Sequence, residues 1–137
     1  MGLTHLDAGV IIAFLDGADA HHDAARSALS TSLDDAERLS IAASALAECL
    51  VGPARRSTKA VELVCTVIDR LPVSVVHLDE EIATQAAMLR ARHRTLKLPD
   101  ALVIATAEHF SADRLITTDR KWPTAKVMKL TVSIEQI

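Results

Sequence analysis

Aromatic residues are nearly missing from this 137-residue chain: Phe14, Phe110 and Trp122 are the whole set, and there is no tyrosine. Proteins that read bases by stacking need aromatic side chains along a groove, so the composition argues against that mode of recognition. Basic residues are not in excess either. The 15 Lys and Arg are outnumbered by 18 Asp and Glu, for a formal net charge of −3. No overall positive field draws in nucleic acid, and any such binding falls to local basic patches. Cysteine is limited to Cys49 and Cys65, which stand apart with no CxxC or CxxxH spacing. Two free thiols in a reducing compartment are expected in preference to a disulfide. The longest apolar runs fall short of the ~20 residues that span a bilayer. The N-terminus lacks the basic start, apolar run and small-residue cleavage site of a signal peptide. A cytoplasmic protein without membrane contact is expected.

What the chain has is aliphatic. Half its residues are hydrophobic, mostly Ala, Leu, Val and Ile, enough for the core of a single domain over residues 1–137. Leu3–Leu6 reads as a strand closed by Asp7, and 8–15 as a buried helix ended by the Asp16-Gly17 turn. Ala24, Ala25, Ala28 and Leu29 give 20–30 a half-exposed helical pattern, with a polar loop over 31–37. Arg38–Ala42 reads as a second strand. Ala43–Val51 reads as a helix beginning near Ser44 and ended by Gly52-Pro53. Helical spacing returns over 55–70, Pro72–Leu78 reads as a third strand, and Asp79 caps a helix through about Arg94. A helix from Leu98-Pro99, a strand over Leu115–Thr118 and a final edge strand over Lys126–Val132 complete the order. Strands separated by helices predict an α/β protein, a three-layer α/β/α sandwich around a mainly parallel sheet.

The stretch LPDALVIATAEHFSADRLITTD, Leu98 to Asp119, organises the rest. Pro99 suits a first helical turn, where its missing N–H costs nothing. Asp100 follows where the helix dipole favours a carboxylate. From Ala101 to Ala107 only Thr106 is polar, so this helix is expected to be buried on most of its circumference. Asp119 closes the next strand, at the strand end where chemistry collects in open α/β sheets. Asp7 closes the first strand, and Glu48 lies inside the helix after the second. Leu6-Asp7-Ala8, Ala47-Glu48-Cys49 and Pro99-Asp100-Ala101 set three of these four acids among apolar neighbours. Burying an unpartnered carboxylate is costly, and clustering several adds repulsion. Such a cluster needs protons or a cation. An all-oxygen set without His or Cys suits Mg²⁺ or Mn²⁺ better than zinc.

Four segments, LDAGVIIAFLD, SALAECL, KLPDALVIATAEHF and LITTDRKW, resemble in order and spacing the successive motifs of PIN-domain nucleases. At this length the chain resembles most closely the VapC-type toxin of a VapBC toxin–antitoxin pair. The resemblance implies metal-dependent hydrolysis of phosphodiester bonds in RNA, tRNA or rRNA, restrained by a VapB-type antitoxin. It also implies a homodimer, and an antitoxin segment lying in a groove that covers the acids. Carried over, the metal-binding acids are Asp7, Glu48, Asp100 and Asp119, with Asp7 and Asp100 as direct ligands. Glu48 and Asp119 would hold metal-bound waters or a second ion. The family usually has Ser or Thr just after the first acid. Here Ala8 and Gly9 stand there, and that hydroxyl's role is expected to pass to Thr118, Thr4 or Ser44. The same resemblance leaves two other readings: a PIN-type RNA-processing nuclease without an antitoxin, and an inactive PIN-fold binding module.

Substrate-holding candidates are Thr118, next to the last acid, and the basic run Arg92, Arg94 and Lys97 leading into Asp100. The basic run reads equally as a solvated helix end complementing the dipole. Arg55, Arg56 and Lys59, and Arg120 with Lys121, are weaker candidates. Asp16, Asp79, Glu80, Glu81 and Asp113 read as turn or cap residues. His21-His22 reads as a solvated helix start, since adjacent residues on a helix do not share a face.

Overall fold

Strands buried on both faces need cover on both faces, and three strands of this chain have that character. The computed structural model describes residues 2–137. Among the described residues the order is β1 (Leu3–Leu6), α1 (Ala8–Leu15), α2 (His22–Asp34), β2 (Arg38–Ala42), α3 (Ala43–Arg56), α4 (Thr58–Arg70), β3 (Val73–Val76), α5 (Glu80–Arg92), α6 (Leu98–His109), β4 (Arg114–Thr117) and β5 (Ser133–Gln136). The sheet runs β3-β2-β1-β4-β5, and every neighbouring pair is parallel. β1, β2 and β4 are buried for all but their first residues, whereas β3 and β5 are the more exposed edges. Helices flank the sheet, as expected of an α/β/α sandwich.

The chain lays β2 and β3 successively outward on one side of β1, then crosses to place β4 on the other side. The order reverses at β1, and in parallel sheets a crevice opens at such a switch, outside the carboxyl ends of the strands. Leu6, Ile41, Leu115 and Ile116 fill the sheet's interior with no exposed surface. α6 buries Ala101, Val103, Ile104, Ala105, Thr106 and Ala107, which is why its sequence carries almost no helical amphipathicity. The Thr106 hydroxyl is satisfied by the Leu102 carbonyl at 2.7 Å.

Four boundaries differ from the sequence reading, each for a local reason. α2 continues through the polar 31–34, because Ala25, Leu29 and Ser32 form a narrow buried stripe at helical spacing. α3 does not stop at Gly52-Pro53: no glycine among the described residues has positive φ, and the helix runs on past Pro53 to Arg56. It ends at Ser57, whose hydroxyl caps α4 by accepting from the Ala60 N–H at 3.0 Å. α3 also begins without a side-chain cap, so Ser44 does not have that role. The final strand is not Lys126–Val132 but Ser133–Gln136. Residues 124–130 instead coil into turns, with Met128 N–H on the Thr124 carbonyl and Leu130 N–H on the Ala125 carbonyl. The strand-like alternation there reflects Met128 and Val132 anchoring an irregular segment in the core.

At the amino end of the sheet, opposite the crevice, Arg114 ties four segments together. Its guanidinium reaches Glu135 at 2.7 Å, Glu37 at 2.9 Å and the Ser32 hydroxyl at 2.8 Å. Glu37 also accepts from the Thr4 hydroxyl at 2.5 Å, so Thr4 is committed far from the acid cluster. That hydroxyl, then Arg114 and Ser32, hold the Glu37 carboxyl below its ordinary value of 4.5. A depressed carboxyl stabilises the fold above its unfolded pKa and loses that contribution as pH falls. Arg114→Met is expected to lower stability at pH 7 by about 1–2 kcal/mol. The gap to wild type should narrow as pH falls below 4.5. Thermal melts of both proteins at pH 7 and pH 3.5 check this.

Candidate metal centre

Parallel register decides what stands beside Asp7. Leu6 pairs with Ile116 across β1 and β4, so one step further Asp7 meets Thr117. The Asp7 backbone N–H donates to the Ile116 carbonyl at 3.0 Å, and the Thr117 hydroxyl donates to Asp7 Oδ2 at 2.7 Å. Thr117 in turn accepts from the Asp119 N–H at 3.0 Å. Asp7 Oδ1 accepts from the Ala8 N–H at 2.8 Å, so the same carboxylate caps α1. Asp7 is 7% exposed. Burial pushes its carboxyl up to about 6 against these two hydrogen bonds, and the charges of Asp100 and Glu48 push the same way.

The other acids arrive from three directions. Asp100 is in the first turn of α6 and half-buried. Burial raises its carboxyl and Asp119 adds to the rise, while the Trp122 indole N–H and Lys97 oppose it. Glu48, on α3, is more exposed than its apolar sequence neighbours suggest, yet burial of its carboxyl and the charge of Asp100 raise it too. Asp119, half-buried beyond β4, accepts from the Lys121 N–H at 2.7 Å. Four carboxylates on four separate segments thus share one electrostatic neighbourhood at the carboxyl ends of β1 and β4. A cavity of about 400 Å³ holds Asp100, Asp119, Thr118, Lys97, Arg120 and Lys121 on its wall.

Among the described residues no three His, Cys, Asp or Glu side chains converge as a ready-made ligand set. This arrangement suits a hydrated Mg²⁺ or Mn²⁺, which takes one or two direct carboxylates and keeps several waters. The raised carboxyls fit as well, because a cation relieves both their burial and their mutual repulsion. Asp7 and Asp100 are the buried and half-buried acids best placed to hold it. Cys49 is no competitor: its thiol, pushed up to about 12 by burial and by Glu48 and Asp7, stays protonated and points to the Ala8 carbonyl at 3.7 Å.

The hydroxyl holding Asp7 is that of Thr117, a residue that sequence reasoning passed over in favour of Thr118. Only the strand register reveals it, since the residue after Leu6 faces the residue after Ile116. Thr118 has a different place. Its hydroxyl fills the space where a side chain at Gly9 would begin, so that a Cβ there would collide with Thr118 Oγ1. The chain that lacks a hydroxyl after Asp7 therefore brings one in from across the sheet. Of the basic candidates, Lys97 lines the acid cavity. Arg92 does not: it lines a separate cavity with Met88, Glu108 and Leu130. Arg94 is exposed in the turn between α5 and α6. Arg120 and Lys121 are better placed than either. Trp122, also on the cavity wall, was noted in the sequence only as a scarce aromatic.

On the far side of Glu48 an apolar groove of about 530 Å³ opens between α1, α3 and α4. Ile12, Leu63 and Val64 line it, and Glu48, Asp16 and Arg56 supply its charges.

Comparison with known proteins accords with this geometry. The PIN domain family model matches residues 5–127. No curated protein matches the chain by sequence. The chain resembles the Mycobacterium tuberculosis toxin VapC20, a sarcin–ricin loop cleaving toxin, with TM-score 0.72 and 19% identity over 86% of this chain and 91% of that one. Rickettsia felis VapBC2, solved bound to a DNA fragment from its promoter, aligns with TM-score 0.70 and 16% identity over 98% of each chain. A Klebsiella pneumoniae toxin–antitoxin complex aligns with TM-score 0.68 and 24% identity over 88% of each chain. At these identities the likeness concerns the fold.

The elevation of Asp7 has a consequence for stability. A carboxyl raised from 3.8 to about 6 stabilises the fold below its unfolded pKa, and that contribution is lost as pH rises through about 6. Asp7→Asn keeps an oxygen for the Ala8 cap and removes the charge. The metal-free variant is expected to be more stable than metal-free wild type at pH 8, by up to about 3 kcal/mol. The two should converge below about 3.8. Thermal melts in chelator across this range test it.

Proposed function

The chain belongs to the PIN-domain family, and on that premise we propose that it is a Mg²⁺- or Mn²⁺-dependent endoribonuclease, the toxin of a type II toxin–antitoxin pair. The observation that carries this reading is the gathering of Asp7, Glu48, Asp100 and Asp119 at the carboxyl ends of β1 and β4, with Asp7 held by Thr117. When bound, the divalent cation supplies an activated water and offsets the charge that builds on phosphate and leaving oxygen. The chain's own part is to fix the acids and exclude alternatives. Asp7 and Asp100 would hold the ion directly, and Glu48 and Asp119 would hold waters bound to it. Thr117 and the Ala8 N–H lock the Asp7 carboxylate, so its orientation does not depend on the ion. Hydrolysis adds water to phosphorus and breaks the bond to the leaving nucleotide oxygen, which takes up a proton.

The substrate follows from what surrounds the acids. Lys97, Arg120 and Lys121 ring the cavity and suit phosphate oxygens, which position the backbone without reading sequence. With so few aromatics, selection depends on RNA shape, as in a structured loop of tRNA or rRNA. The antitoxin reading draws support from the groove beside Glu48, whose apolar wall includes Ile12 at 40% exposure and Leu63 at 59%. A VapB-type antitoxin segment lying there would cover the acid cluster from one side. A second copy of the chain is the other expected partner. Against the alternative of an inactive module stands the hydroxyl of Thr117, which reaches Asp7 although no Ser or Thr follows that acid.

The test is cleavage of total RNA by the antitoxin-free protein in Mg²⁺, in Mn²⁺ and in chelator, beside Asp7→Asn and Asp100→Asn. Discrete fragments that require metal are expected, with each variant reducing the rate at least a hundredfold. Cleavage that persists in chelator, or in both variants, would contradict the assignment.

A further inference from the structure

Trp122 is the chain's one tryptophan, and its indole N–H faces the acid cavity without closing a hydrogen bond to any acceptor there. The residue is 7% exposed and packs into the core, yet among the described residues Nε1 is buried without a hydrogen-bond partner. A buried indole ordinarily finds an acceptor, and leaving the donor orphaned is destabilising. Phenylalanine would fill nearly the same space without that cost.

The surroundings narrow the acceptor. Trp122 lines the cavity of the acid cluster. Lys97, Arg120 and Lys121 on the same wall bring cationic or guanidinium donors, and Asp119 Oδ1 is engaged by the Lys121 N–H. Asp100 is the other carboxylate on that wall, and it shares the wall with the indole. We propose that Trp122 is a positioning residue for Asp100: its Nε1–H closes onto the Asp100 carboxylate when that group engages a divalent cation, holding one oxygen and leaving the other for the ion. The proposal rests on the metal-site reading above and adds to it a residue that acts through Asp100 rather than on the ion. Groups that orient a ligand in this way commonly change metal affinity tenfold or more.

Because there is a single tryptophan, ¹⁵N-labelled protein gives a single indole N–H cross-peak, and a Mg²⁺ titration reads it directly. The expected result is a downfield shift of that peak that saturates together with the backbone amide shift of Ala8. Trp122→Phe should weaken Mg²⁺ binding about tenfold, while its metal-free melting temperature stays the same or rises, since the orphan donor is gone. If the Ala8 amide shifts with Mg²⁺ while the indole peak stays put, or if Trp122→Phe binds as tightly as wild type, the positioning role is overturned and the metal site stands. If neither signal moves, the metal site itself fails and the proposal with it. Should the variant misfold, the wild-type titration alone decides.

Discussion

Burial of carboxylates close to one another is the constraint on which the crevice end of this molecule depends. Asp7, Glu48 and Asp100 are each raised by burial first and then by a neighbouring acid, with Asp119 adding to the rise of Asp100, and Asp7 is the most buried of them. A fold does not gather like charges in a desolvated place for stability. The hydrogen bonds from Thr117 and Ala8 offset part of the cost of Asp7 and fix its geometry. The rest is left for a ligand of opposite charge. Strain of this kind in a cleft is a physical pointer to function, and here it coincides with the topological switch of the sheet.

The scaffold explains why the acids meet at all. Parallel strands put all their carboxyl ends on one side, so the residues after β1 and after β4 are neighbours without any loop having to fold back. Asp7 can therefore cap α1 and face the crevice with the same side chain. α6 supplies Asp100 from its first turn, where Pro99 is accommodated because its missing N–H costs nothing. Arg114 at the opposite end of the sheet binds the amino ends of the strands together. The Arg114 network and the acid cluster thus lie at opposite ends of the same strands.

The sequence made the layered fold and the four acids legible because both are written locally. An acid between apolar residues at the end of a strand pattern, as in Leu6-Asp7-Ala8, needs no knowledge of tertiary structure to stand out. What was not legible depended on relations between distant segments. Thr117 mattered through strand register, and Thr118 through its fit against Gly9, neither of which a single stretch displays. Arg92 looked adjacent to Asp100 in sequence, but the end of α5 turns it toward another cavity. The alternation around Met128 and Val132 imitated a strand because an irregular segment can anchor every other residue too. Polar runs such as 31–34 hid a helix whose buried stripe is only one residue wide per turn.

The most direct measurement is the carboxyl ¹³C titration of Asp7, followed by NMR in metal-free protein and in protein saturated with Mg²⁺. If the acid cluster is built around a cation, the metal-free carboxyl titrates near 6 and the Mg²⁺-loaded one falls below the ordinary carboxylate range. An Asp7 that titrates at the same pH with and without Mg²⁺ would contradict the account, because the repulsion described here would then have no cation to answer it.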